Sequence, residues 1–280
     1  MLTLGHGTDI LEGGCYHLFH FPHCFMEKAS VIGTLASIGV ILGGIVCAGG
    51  NPLGFIDPAA GIIICGGVLC VVMTSFSIDE FLRLPVVCRV AFTYKKPNLL
   101  QIIHQMGELA EAARRSGIVS LDSVTKDLDD PFLAMGLQMA VDGMPPEVLS
   151  SVLEQEIEAV SSRHMVGAEM MSTLGKAAPV FGLVATLLGL ILMLAHMDPD
   201  TIGHHMSVAL TGTLYGISSA NLFFLPYAAK LRYFNKQEVT AMELKMRGIL
   251  AIQSGENPRV IKLKLMTSLP ARLRPQEGDQ

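Results

Sequence analysis

Few residues of this chain combine reactive chemistry with a spacing that could bring them together. Thr186 and Thr213 place hydroxyls inside long apolar runs, where polar groups able to touch an ion are rare. Such hydroxyls can help a cation shed water but cannot accept a proton at neutral pH. Equally, each can bond back to the carbonyl one turn earlier, as Ser and Thr in membrane helices do. Pro179 and Pro226 stand at the ends of the same runs, and each deletes a helical hydrogen bond, to the carbonyls of Gly175 and Leu222. Freed carbonyls and a kink there can couple ion binding or carboxylate protonation to helix movement, with a plain structural kink as the alternative. Arg114 and Arg115 close a helical pattern, where the helix dipole favours basic residues, and Asp122 follows close behind. Cys15, His17, His20, His23 and Cys24 have ligand chemistry, but their spacing matches no zinc finger or ribbon, so no metal site and no cofactor are assigned.

The elements that must carry these residues are apolar. Of 280 residues, 50% are hydrophobic and only 16% charged, with a net charge of −5. Those values exclude a disordered chain and a polybasic nucleic-acid binder, and they point to a membrane protein with a soluble part. Four stretches approach the roughly 20 apolar residues needed to cross a bilayer: Ala29 to Gly50, Pro58 to Phe76, Ala177 to Met197 and Met206 to Ala229. None contains Asp, Glu, Lys or Arg between its ends. The fourth carries Thr211, Thr213, Ser218, Ser219 and Asn221 and is expected to face other helices. Eight of the 20 basic residues lie between 77 and 173 and ten follow the fourth run, while the connections 51–57 and 198–205 have none. The positive-inside rule therefore predicts cytoplasmic termini and a cytoplasmic middle segment. Residues 1–28 have neither a basic n-region nor a clean apolar core, so they read as an extension rather than a signal peptide, with Met26 a natural start.

The resulting organisation is an N-terminal extension (1–28), a first transmembrane hairpin (29–76), a helical cytoplasmic domain (77–173), a second hairpin (174–230) and a cytoplasmic tail (231–280). In the middle segment, Leu99, Ile102, Ile103, Met106, Ala110 and Ala113 form one face of a helix from Asn98 to Ser116, opened by Pro97 and closed by Gly117. A short helix capped by the Ser120 hydroxyl, another from Pro131 to Val141, and a long one from Pro146 that continues into the third span are expected. Glu108 and Glu111 read as a solvated face. Gly33, Gly39, Gly43, Gly44, Gly61, Gly66 and Gly67 read as sites of close helix approach, as do Gly182 and Gly189, whose loop-like spacing lacks a lysine. Tyr215 reads as packing. Cys47, Cys65 and Cys70 read as small buried hydrophobes. No nucleophile motif or phosphate loop is present, so an enzyme is rejected.

Several ordered motifs carry a resemblance. They are Ala178-Pro-Val-Phe-Gly-Leu-Val-Ala-Thr-Leu-Leu-Gly-Leu190 with Met193-Leu194; Val208-Ala-Leu-Thr-Gly-Thr-Leu-Tyr-Gly216 with Ala220-Asn221 and Leu225-Pro226; and Ala112-Ala-Arg-Arg-Ser-Gly-Ile-Val-Ser-Leu-Asp122 with Phe132-Leu-Ala-Met-Gly-Leu137. Together with Ser30-Val-Ile-Gly33 and Phe55-Ile-Asp-Pro58, they cover about residues 28–255. The set resembles the MotA/PomA family, the ion-channel subunit of the bacterial flagellar stator, within the MotA/TolQ/ExbB superfamily. The resemblance implies an all-α integral membrane protein of the inner membrane, with four transmembrane helices and a helical cytoplasmic domain between the second and third. It implies a pentamer around a dimer of a MotB/PomB-type partner, which spans the membrane once, supplies the essential Asp and anchors to peptidoglycan. Proton or sodium flow would drive torque on the rotor protein FliG for motility and chemotaxis. Thr186 and Thr213 would line the ion pathway, Pro179 and Pro226 would couple it to motion, and Arg114, Arg115 and Asp122 would contact the rotor. Ser123 departs from the family, which usually has a second acidic residue there. Gly212 replaces a hydroxyl found in some sodium-driven relatives, so the ion stays open.

Two other readings are weighed. An ExbB/TolQ-like proton-driven energiser would have three spans, with its cytoplasmic segment after the first. A passive membrane scaffold or channel would need neither the proline-bearing spans nor the Arg-Arg…Asp motif.

Overall fold

A computed structural model describes residues 28–195 and 198–269 of the chain. The Cys/His group of residues 15–24 and the end of the tail lie outside the described residues. Among the described residues the chain is helical, without strands: α1 Lys28–Cys47, α2 Pro58–Ser75, α3 Ile78–Phe81, α4 Leu84–Thr93, α5 Leu99–Ser116, α6 Leu121–Thr125, α7 Pro131–Val141, α8 Pro146–Ala195, α9 Pro199–Ser219, α10 Leu225–Gln253 and α11 Pro258–Thr267. A π turn, Ala220–Phe224, joins α9 to α10.

The 50 residues of α8 carry no breaker before Pro179. At 1.5 Å per residue the helix is about 75 Å long, more than twice the hydrocarbon thickness of a bilayer. It therefore passes through two separate cores. In one, Ile103 and Met106 of α5, Leu121 of α6, Leu133 and Leu137 of α7, Leu149 and Leu153 of α8, Ile249 of α10 and Ile261 of α11 are buried together. In the other, Ile64, Val68 and Val72 of α2 pack against Ala168, Met171, Leu174 and Ala178 of α8 and against Tyr227 and Ala228 of α10. The first core is the meeting of amphipathic helices. Around the second, apolar residues also point outward: Leu183, Leu187, Ile191 and Leu194 of α8 are exposed. A face of that kind needs lipid or a neighbouring chain to cover it.

Among the described residues three helical stretches are long and apolar enough to cross a membrane, Pro58–Ser75, Pro146–Ala195 and Thr201–Gln253, and Ile32–Cys47 is a shorter apolar helix.

Local chemistry explains several helix starts. The Asp57 carboxylate accepts from the Ala59 and Ala60 amides at the start of α2, at 2.9 and 3.2 Å. Ser77 and Glu80 form a reciprocal capping box on α3. The side chains of Asn98 and Asp130 cap α5 and α7. Gly117 ends α5 at φ +83°, a conformation that favours glycine.

Three expectations are corrected. Ser120 does not cap a helix: its hydroxyl turns back to donate to the Gly117 carbonyl at 2.7 Å, closing a 3₁₀ turn over Ile118–Ser120, and α6 starts at Leu121. Of the seven glycines assigned to close packing in the first hairpin, only Gly67 meets a neighbour, the Phe181 ring. The other six meet no neighbour within this chain: Gly33, Gly39, Gly43 and Gly44 lie on α1, which touches the rest of the chain sparsely, with Thr34 Oγ1 3.3 Å from the Tyr227 hydroxyl, and Gly61 and Gly66 lie off the stripe of Ala60, Ile64, Val68 and Val72 by which α2 packs inward. Cys47 at the end of α1, and Cys65 and Cys70 off the inward stripe of α2, are likewise exposed on the chain's surface rather than buried.

Candidate functional site

The closest helix packing lies between α8 and α9, and glycine makes it. A methyl carbon at Gly182 would lie 3.3 Å from the Gly212 carbonyl oxygen and from the Thr213 Cα. One at Gly216 would lie 2.5 Å from the Ala178 carbonyl oxygen, and one at Gly189 would lie 2.8 Å from the His205 carbonyl oxygen. Backbone thus rests on backbone over two turns, as small residues permit in apolar surroundings.

This crossing brings Thr186 and Thr213 together. Their hydroxyl oxygens share a short hydrogen bond. Thr186 Oγ1 also lies 3.0 Å from the Gly182 carbonyl oxygen and 3.1 Å from that of Ala209, and Thr213 Oγ1 lies 3.3 Å from the latter. Four uncharged oxygens from two helices therefore converge at one half-buried spot. Each threonine bonds back one turn, and the two also meet across the helices. Two hydroxyl protons serve more than two acceptors here, which leaves lone pairs for a cation but no group that stores charge.

Pro179 lies inside α8, and Pro226 occupies the first turn of α10. Gly175, whose carbonyl loses its helical donor to Pro179, packs on Leu225, the residue before Pro226. The two helix breaks are therefore level. The backbone ahead of Pro226 differs from a simple kink, because the Leu225 amide donates to Ala220 across a π turn. The Asn221 side chain donates to the Ile217 carbonyl at 2.9 Å and the Ser219 hydroxyl to Gly216 at 3.2 Å, so side chains supply donors where the helical ladder is disturbed. Wide turns of this type are frequent at functional sites.

Tyr215 is more than packing. Its hydroxyl donates to the Phe55 carbonyl and accepts from the Asp57 amide at 3.1 Å, tying the connection between α1 and α2 to α9. A tyrosine with apolar neighbours and a distant turn across the fold left no local signal of this contact.

Arg114 and Arg115 are both exposed in the last turn of α5. Arg115 Nη2 lies 3.8 Å from Glu111 Oε2. Glu111 is not a freely solvated carboxylate, since its other oxygen is 3.3 Å from Lys262 of α11. Asp122 pairs with Lys126, one turn on, at 2.8 Å. The Lys126 hydrogen bond and charge, with a further contribution from Gln138, hold the Asp122 carboxyl below the usual carboxylate range, and Asp122 raises Lys126 in return. Just after α4, Tyr94 stacks on Phe234 of α10, with centroids 4.0 Å apart and planes at 17°. Burial first, then the charge of Glu238, pushes its phenol well above the ordinary range. Among the described residues no group of three or more His, Cys, Asp and Glu is placed to hold a metal.

The model of the MotA/TolQ/ExbB proton channel family matches residues 124–244. Motility protein A of Bacillus subtilis is 36% identical to this chain over 91% of its length and 95% of the relative's. The chain belongs to the MotA family. Chemotaxis protein PomA of Vibrio alginolyticus is 33% identical, covering 91% of this chain and 100% of the relative. The subunit in the structure of C. jejuni MotAB superposes with a TM-score of 0.84 at 29% identity, over 90% of this chain and all of that one. The flagellar MotAB stator complex from Bacillus subtilis gives a TM-score of 0.81 at 36% identity, over 88% and 97%. MotA likeness thus extends well outside residues 124–244, over about nine-tenths of the chain.

Proposed function

We propose that this chain is the stator subunit of a bacterial flagellar motor, forming an ion channel with a MotB/PomB-type partner and converting ion flow into torque. Membership of the MotA family and likeness to two MotAB complexes support this reading. The observation that carries the mechanism is the meeting of Thr186 and Thr213 at a glycine-packed crossing that has hydroxyls and carbonyls but no carboxylate. A carboxylate must then come from a second chain, and a single-span, peptidoglycan-anchored partner supplies it. An ion arriving there exchanges water for hydroxyl and carbonyl oxygen, and its charge is met by the partner.

In this reading α1, α2, the second half of α8, and α9 with the start of α10 form four spans of the inner membrane, with both termini in the cytoplasm. Five copies surround a partner dimer, and the exposed faces of α1 and α8 meet lipid or a neighbouring copy. Pro179 and Pro226 give the α8–α10 contact a soft level where loading of the carboxylate alters helix direction. The lobe of residues 77–173 with the end of α10 and α11 presents Arg114, Arg115 and Asp122 to FliG. Exposed ion pairs are worth about 0–1 kcal/mol each, which suits a contact made and broken at every step.

The test is reconstitution. Liposomes holding this chain alone should conduct neither protons nor sodium, and adding the partner should open a current. A sustained selective current from the chain alone refutes the two-chain site.

A further inference from the structure

Glu111 faces two cations, and they come from different helices. Arg115 follows it by one turn on α5, while Lys262 reaches it from α11. Lys262 can do so because Gly107 has no side chain: the lysine stem runs across the α5 backbone through the space a Cβ would fill, with its Cδ and Cγ 2.8 and 2.9 Å from that position. Its base is fixed as well. Asn257 caps α11 at the Arg259 amide at 3.0 Å, Ile261 and Leu265 are buried in the lobe's core, and Lys264 clamps Glu256 through both carboxylate oxygens at 2.7 and 2.8 Å. Only 30% of the Lys262 side chain is exposed, against 80% for Arg115.

On an open helix face a Glu and an Arg four residues apart close on one another. Here the carboxylate is divided, since its Oε1 is 3.3 Å from Lys262 Nζ and its Oε2 is 3.8 Å from Arg115 Nη2. We propose that Lys262 is a positioning residue for the rotor contact: by holding Glu111 against α11 it leaves the Arg115 guanidinium available to an acidic surface on the rotor protein. The inference rests on the reading of Arg114 and Arg115 as rotor-contact residues. Gly107 belongs to the device, because any side chain there would block the lysine's path.

The test uses the full chain with its partner in motile cells whose own copy is deleted, and reads stall torque, with membrane level and partner recovery as controls. Lys262→Met keeps the apolar stem over Gly107 and removes only the charge. It should lower stall torque by up to roughly fivefold, the upper end for an exposed pair, and Lys262→Arg should retain it. The double variant Lys262→Met/Glu111→Gln should recover torque, because no carboxylate then competes for Arg115. A merely supportive role for Lys262, or direct contact of its own charge with the rotor, predicts no such recovery and is the result that overturns the proposal. Normal torque in Lys262→Met alongside stalled Arg115→Glu also overturns it while leaving the rotor contact standing. Normal torque in Arg115→Glu removes the rotor contact itself, and the proposal with it.

Discussion

Gly216→Ala tests the α8–α9 crossing directly. The added methyl would lie 2.5 Å from the Ala178 carbonyl oxygen, 3.0 Å from the Gly182 Cα and 3.2 Å from the Gly182 nitrogen. All three are backbone atoms, so no flexible side chain can swing aside. A carbon and a carbonyl oxygen rest at about 3.3–3.6 Å, so the helices must separate locally by at least about 0.8 Å. Overpacking of this kind costs about 1–3 kcal/mol. At the same crossing the Thr186 hydroxyl donates to the Ala209 carbonyl of α9 at 3.1 Å, and a further ~0.8 Å takes that bond out of range, adding about 0.5–1.5 kcal/mol. If half of that sum falls on the conducting geometry, ion flux drops by about tenfold, since 1.36 kcal/mol corresponds to one decade in rate. The assay is ion flux in liposomes carrying chain and partner together, with swimming speed in cells and recovery of the partner as a check on assembly. Gly203→Ala, also on α9 but with open space around it, is the matched control and should conduct normally. Normal flux in Gly216→Ala, or equal loss in both variants, refutes the placement of the pathway at this crossing.

Pro179→Ala and Pro226→Ala should insert and bind the partner normally yet abolish swimming, because each restores a helical donor and stiffens the level at which α8 meets α10; full motility in both reduces the prolines to ordinary kinks. Arg114→Glu should cut torque without altering flux, and reversing the matching acidic charge on the rotor protein should restore part of the swimming, an effect that fades at high salt because the Debye length is already about 8 Å at physiological strength. The Asp122–Lys126 pair makes a signed pH prediction. A carboxyl whose folded pKa is depressed contributes stability above its unfolded pKa, about 3.9, and loses it as pH falls through the lower folded value. Lys126→Met should therefore raise the Asp122 titration midpoint measured by NMR, and an unchanged midpoint would contradict the pairing.

Much of this molecule was legible in the residue order because the signals are local. The apolar run from Ala177, the helical pattern from Pro146, the helices opening near Asn98 and Pro131, and the glycine at 117 depend on neighbours within a few positions, so periodicity and breaker residues identify them. The selection of Thr186 and Thr213 was equally local, since hydroxyls are conspicuous in hydrocarbon-like runs. Their contact was not, because it depends on Gly182, Gly189, Gly212 and Gly216 letting two backbones approach across more than twenty residues of chain. The sequence misjudged the first hairpin's glycines and the cysteines at 47, 65 and 70 for a related reason: composition says that a helix is apolar, but not whether its apolar face meets its own chain or something outside it. The π turn before Pro226, the Tyr215 link to residues 55 and 57, and the Lys262–Glu111 bridge over Gly107 were decided only by the tertiary fold. The last two join segments far apart in sequence, and hydrogen bonds and ion pairs over such separations form only where packing has already fixed the distance between their partners.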